Sequence, residues 1–281
     1  MLNRHSTLKH AWIFYPLAFL IFVLPYGWPI NLPKLGDLLG AWRFVLASLA
    51  LMACAAVFFR KTWTAVLGFP KRVSQIIACL FSGIVAFLVF YFFIDSVLSY
   101  GGYQQLPFTN IPSGFFGRYP LLCRTLWRIC QPLNEEIVLR ALLLGFFARF
   151  FSHRAYLAII AALIFSGLHL LIYYFGQMDV QLDLLALLTL FFFALVANAL
   201  YLTFNHIGFG LVIHIAWNWW RFSGDIVKDG VVLNEAQTFN VLEGSVPVFI
   251  FVTVASLACV LGLMIHDVKI KRKLSAETSR R

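Results

Sequence analysis

Eight stretches of this chain are apolar at about the length that crosses a lipid bilayer, the seventh of them short. They lie at about 11–29, 38–59, 74–99, 129–148, 155–176, 182–204, 207–221 and 246–266. A hydrocarbon core roughly 30 Å thick takes about 20 helical residues at 1.5 Å each. Inside it the backbone has to satisfy its own hydrogen bonds, so only helices or closed barrels span. None of the stretches alternates with the period of two that a barrel strand requires. The expected fold is therefore all-α: a polytopic transmembrane helix bundle of about eight spans. Composition agrees, with 61% hydrophobic and only 12% charged residues, where a soluble domain carries about 25% charged. The start, MLNRHSTLKH followed by AWIFYPLAFLIFVLPYGW, has a basic lead and a long apolar run. It lacks a small-residue cleavage site, so it reads as a retained first span.

The net charge of +10 is not a nucleic-acid footprint, because the basic residues sit at segment ends. Eight spans put both termini on one side. That side collects 14 of the 22 Lys and Arg residues, among them Arg60, Lys61, Lys71, Arg72 and six of the tail; the opposite side holds six. The positive-inside rule then puts both termini in the cytoplasm, and the setting it suits is a bacterial inner membrane. The segment YPLLCRTLWRIC brings Arg124 and Arg128 to the outer side, and their spacing of four predicts an amphipathic helix lying at the interface. The Gly- and Pro-rich connection 101–118 reads as a packed outer loop or a lid. Five scattered cysteines form no CxxC or Cys/His pattern and read as small buried apolar residues.

Ionisable groups at membrane depth cost several kcal/mol unless paired or hydrated. The stretch NEEIVLR concentrates three of them. Glu136 and Arg140 stand at i and i+4, acid before base, so they can neutralise one another on a helix. Glu135 is rotated about 100° from that face and is left over. Glu135 lies seven residues from Arg128, His169 seven from Gly176, and His214 seven from Arg221. Seven residues span about 10 Å of helix, so all three fall in one layer of the bundle. Asn218 stands one turn from His214 on the same face. A carboxylate can take a proton from water, an imidazole can hold that water, and a second imidazole with an amide can stabilise a developing oxyanion. Such a set hydrolyses a peptide bond without a covalent intermediate. Ser166 lacks a GxSxG elbow. HExxH is absent, but Glu and His side chains from three helices leave a zinc site open. Arg43 and Asp95 have no evident role.

Three motifs in order, EEIVLR (135–140), FSGLH (165–169) and HIAWN (214–218), resemble the EExxxR, FxxxH and HxxxN of the CAAX protease and bacteriocin-processing (Abi) family of intramembrane glutamic endopeptidases. The resemblance covers roughly residues 119–223. It implies that Glu135 and His169 activate water, that His214 and Asn218 form the oxyanion site, and that Glu136, Arg140 and Phe165 support them. No cofactor is implied. The expected organisation is 1–118 as helices one to three with the outer loop, 119–223 as the catalytic core, and 224–281 as an outer loop, last span and basic tail. The expected partners are the lipid bilayer and a membrane-anchored protein or peptide substrate. A C-terminal anchor or sorting segment fits a site in the outer half of the bilayer. The alternatives are a zinc-dependent membrane protease and a non-catalytic immunity or transport protein. Broken helices in related halves would mark a transporter, and no such repeat is present.

Overall fold

The computed structural model describes residues 4–26, 42–106, 120–148, 150–151, 153–175, 183–221, 225–233 and 235–278. Within them the chain is overwhelmingly helical. Helix α1 covers Arg4–Val23, α2 Trp42–Phe59, α3 Val73–Tyr100 and α4 Pro120–Glu135. The α4 helix runs on without a break into a π-helical segment, Glu136–Leu144, and a last turn, Gly145–Phe147. Then follow α5 (Arg154–Phe175), α6 (Leu184–Phe204), α7 (Gly208–Arg221), α8 (Glu235–Glu243) and α9 (Val246–Thr278). Each of the eight apolar stretches thus holds a helix. Four of the helical stretches described here, at 43–66, 73–100, 184–204 and 246–270, are long and apolar enough to cross a membrane by themselves. Shorter apolar stretches run from Ile13 to Val23 and from Arg154 to Leu170.

Local signals explain where several helices begin and end. Gln75 caps α3: its side-chain oxygen accepts from the backbone N–H of Lys71 at 3.0 Å and of Arg72 at 3.1 Å. Asn205 stops α6 by adopting the left-handed conformation, φ 57°. Helices α3 and α7 come close through a small residue. A Cβ on Gly83 of α3 would stand 2.9 Å from Val212 of α7.

Burial ranks the helices. The most apolar window of α6 is 61% buried, against 11% for α3 and 22% for α9. Helix α6 is therefore the central post, with α5, α7 and α9 around it, while α3 and α9 turn broad apolar faces outward. Helices α1 and α2 pack with one another, and α2 packs on α4. That contact is polar as well as apolar: buried Asn134 donates to Phe44 O at 3.0 Å and accepts from Ser48 Oγ at 3.1 Å. Two apolar cores result. One joins α1, α2, the π segment, α5 and α6; the other joins α3, α7, α8 and α9.

Two sequence expectations change here. Residues 120–130 are not a separate interfacial helix but the first half of α4. Arg128 is buried there with its guanidinium over the Trp219 ring at 5.0 Å; the ring face satisfies a cation that has left water. The all-α bundle also carries a small antiparallel sheet in the order β1-β2-β3, formed by Gln104–Leu106, Asp225–Lys228 and Val231–Val232. The β2–β3 hairpin turns through Asp229 and Gly230, at φ 51° and 78°. A two-residue turn with both residues left-handed matches the twist of paired strands. Of the loop read as a lid, 101–106 form the turn after α3 and β1; the remainder lies outside the described residues.

Candidate active site

Helix α4 places its two carboxylates at the point where it changes type. Pro132 removes one backbone donor from the ladder, and from Glu136 onward the helix is π-helical for nine residues. Hydrogen bonds from i to i+5 put more residues into each turn, so neighbouring side chains diverge less than the 100° of an α-helix. This corrects the separation of Glu135 from its neighbour. Both carboxylates reach His214: its Nδ1 is 3.1 Å from Glu136 Oε1 and its Nε2 is 3.7 Å from Glu135 Oε2.

Glu136 and Arg140 pair as their spacing predicts, at 3.3 Å and with both side chains buried. The guanidinium is held on two further sides. Its Nε donates to Asn198 Oδ1 at 3.2 Å, and Asn198 in turn donates to Ala158 O at 2.9 Å. Its face lies 4.5 Å from the Phe165 ring centroid. Asn198 thus ties the π segment to α6 and α5. Gly210 of α7 lets that helix close on the pair, since a Cβ there would stand 2.8 Å from Glu136 Oε2.

Glu135 has a different setting. Gln131, one turn earlier, donates from Nε2 to Glu135 Oε1 at 3.3 Å. His169 of α5 sits within 4.4 Å of the Phe165 ring, and its Nδ1 is 3.0 Å from Phe165 O. A carbonyl oxygen only accepts, so Nδ1 carries the proton and Nε2 is the accepting end of the neutral ring. His214 likewise points its Nδ1–H at an acceptor, Glu136 Oε1 at 3.1 Å. Phe193 covers its ring at 5.3 Å.

Glu135, His169, His214 and Asn218 line one partly open pocket with a volume of about 30 Å³, and Phe165 forms part of its wall. A water needs about 10–15 Å³ measured in this way, so the space admits one or two. Three helices therefore bring together all four residues expected to act, while Glu136 and Arg140 stay behind them. Gln131, Thr189 and Glu243 also line this space, and no sequence motif marks them. Gln131 was detectable as an i, i+4 partner of Glu135. Glu243 was not, because it arrives from α8, outside every span.

Among the described residues no three His, Cys, Asp or Glu side chains gather in a geometry that holds a metal; the two nitrogens of His214 face Glu136 and Glu135. The singled-out Arg43 lies over the Phe44 ring at 5.1 Å, and Asp95 is exposed on α3. Cys54, Cys79, Cys130 and Cys259 are free thiols, and Cys79 and Cys130 are buried.

The family resemblance carried by the three motifs is borne out. Residues 117–220 match the family described as type II CAAX prenyl endopeptidase, Rce1-like, and this span includes all three. No curated protein and no solved structure matches the chain.

Proposed function

We propose that this integral membrane protein, a CAAX-protease-type peptidase by its core, is a glutamic endopeptidase that cleaves a membrane-anchored protein within the bilayer. One observation carries the reading: a carboxylate, two imidazoles and a carboxamide from three helices line one pocket of water size.

The chemistry follows from the donor and acceptor ends already described. Glu135 takes a proton from a water molecule while His169 Nε2 accepts the other hydrogen and holds the oxygen in place. The oxygen adds to the scissile carbonyl carbon, and the carbonyl electron pair moves onto oxygen. His214 and Asn218 donate to that oxyanion. With Nδ1–H committed to Glu136, Nε2 donates only if His214 is an imidazolium. Arg140 balances Glu136, and an imidazolium at His214 would face Glu135. Collapse breaks the C–N bond, and the proton held by Glu135 passes to the leaving nitrogen.

The substrate is a peptide chain held at the membrane. The family's description points to a prenylated CAAX terminus. The charge asymmetry, with exposed Arg60, Lys61, Lys71 and Arg72 at the end of the bundle opposite the β-sheet, instead orients the site toward the extracytoplasmic half of the bilayer, where a C-terminal anchor or sorting segment would enter. A reporter fused after Arg281 that scores outside the cell would reverse that assignment.

The deciding experiment uses the full chain in bilayers of defined lipid, with one prenylated CAAX peptide and one peptide carrying an apolar C-terminal anchor. Wild type cleaves at least one, and Glu135→Gln lowers the rate at least about 10³-fold while keeping its helical signal. Undiminished cleavage by a folded Glu135→Gln removes the general base. Activity abolished by a chelator and restored by zinc would establish the metal-dependent alternative.

A further inference from the structure

The residues assigned above meet only half of a peptide bond. A scissile amide presents a carbonyl, which accepts, and an N–H, which donates. Buried without partners, either one is costly. His214 and Asn218 supply donors for the carbonyl. Glu135 and His169 are occupied by the water. An acceptor for the N–H has to come from elsewhere in the same space.

Glu243 is that acceptor by position and chemistry. It is the last residue of α8 and lies 26 positions beyond Trp217, well outside the matched core. It is only 1% exposed, yet it lines the space that Glu135 and Asn218 line. Its carboxyl is held from behind: Trp217 Nε1 donates to Glu243 Oε1 at 3.2 Å. Trp217 is fixed in turn by edge contact with Phe90 at 5.1 Å. Its neighbour Leu242 is fully buried in the α3–α7–α9 core, so α8 is anchored. Thr189 of α6 adds a second polar group. Its hydroxyl is buried, faces the same space, and has no partner among the described residues.

We propose that Glu243, with Thr189 beside it, forms the subsite for the leaving-amine side of the scissile bond: the carboxylate accepts the amide N–H and then holds the released amine. This rests on the endopeptidase reading, whose covalent steps are unchanged. Glu243 breaks and forms no covalent bond; it becomes a catalytic residue by touching the reacting nitrogen.

The test compares an amide with an ester. The probe is whichever of the two membrane peptides above, prenylated CAAX or apolar C-terminal anchor, wild type cleaves, and its partner is the depsipeptide with oxygen in place of the scissile N–H. The ester has nothing for Glu243 to accept. Glu243→Leu should lower kcat/KM for the amide about 10- to 100-fold, the range for one hydrogen bond to a charged group, and leave ester cleavage within about threefold. Glu243→Gln keeps an oxygen for Trp217 and removes the charge, so it should give a smaller fall of the same selectivity; it decides the matter if the Leu variant fails to fold. Equal losses on amide and ester, or no loss on either, overturn the subsite and leave the endopeptidase intact. If Glu135→Gln still cleaves both substrates, or wild type cleaves neither, the endopeptidase reading fails and the subsite falls with it.

Discussion

At the scale of single residues, the buried charges divide by what surrounds them. Arg140 is enclosed by a carboxylate, an amide and an aromatic face, whereas Glu135 faces a space for water. The pairing of Glu136 with Arg140 was legible as i, i+4 spacing. The other partners of Arg140 were not, because Asn198 and Phe165 come from helices with no sequence link to it. Removing the guanidinium would strand Glu136 and Asn198 in a dry interior. Arg140→Met should therefore destabilise the fold by about 3–5 kcal/mol, read as a fall in denaturation midpoint in mild detergent. A change below about 1 kcal/mol would mean that Glu136 finds another cation. Arg140→Lys should recover only part, since an ammonium cannot serve Glu136 and Asn198 in the same plane.

At the scale of elements, hydropathy located the helices but not their type. The π segment has the composition of any buried helix, and only Pro132 hints at a change in the ladder. Its consequence is large, because the tighter angular spacing lets both Glu135 and Glu136 reach His214. Deleting one residue between 141 and 144 should let the segment relax toward α-helix and swing the motif residues out of register. Helical content should persist while hydrolysis is lost; retained activity would show that the π geometry is dispensable. The β2–β3 hairpin, by contrast, was written in the sequence: Asp-Gly between IVK and VVL is a strong short-range hairpin signal. A search for membrane periodicity passes over it because the strands are too short to alternate visibly. The α6–α7 connection carries a titrating group. Buried His206 accepts from Gly208 N–H through Nδ1 at 3.2 Å, at the start of the helix that bears His214. Burial lowers its pKa from the ordinary 6.5, so the unfolded chain takes up the proton first. Its stabilising contribution is complete above about pH 6.5 and fades as pH falls below that value. The thermal midpoint should drop as pH falls below about 6.5 in wild type, and less in His206→Gln. Parallel profiles for the two proteins would remove His206 from the account.

At the scale of the whole molecule, the bundle converts three distant motifs into one space. Counting residues from the helix ends put Glu135, His169 and His214 at one depth, and depth was enough to make the meeting plausible. Lateral placement was not available from sequence, since nothing in an apolar run says which neighbour it faces. Helix α6 settles this by standing at the centre, with α5 and α7 against it and the π segment packed on both α6 and α5. The short α8, whose 235–243 carry no apolar run, closes the same space with Glu243 and could not be assigned to the site beforehand. What the assembly claims above all is that Glu135 and His169 act on one and the same water. The direct measurement is kcat/KM for wild type, Glu135→Gln, His169→Ala and the double variant on one cleavable membrane peptide. Groups that work as a unit lose nearly everything with the first removal. The double variant should be no more than a few-fold slower than the slower single one. Losses that multiply would show two independent contributions and contradict it.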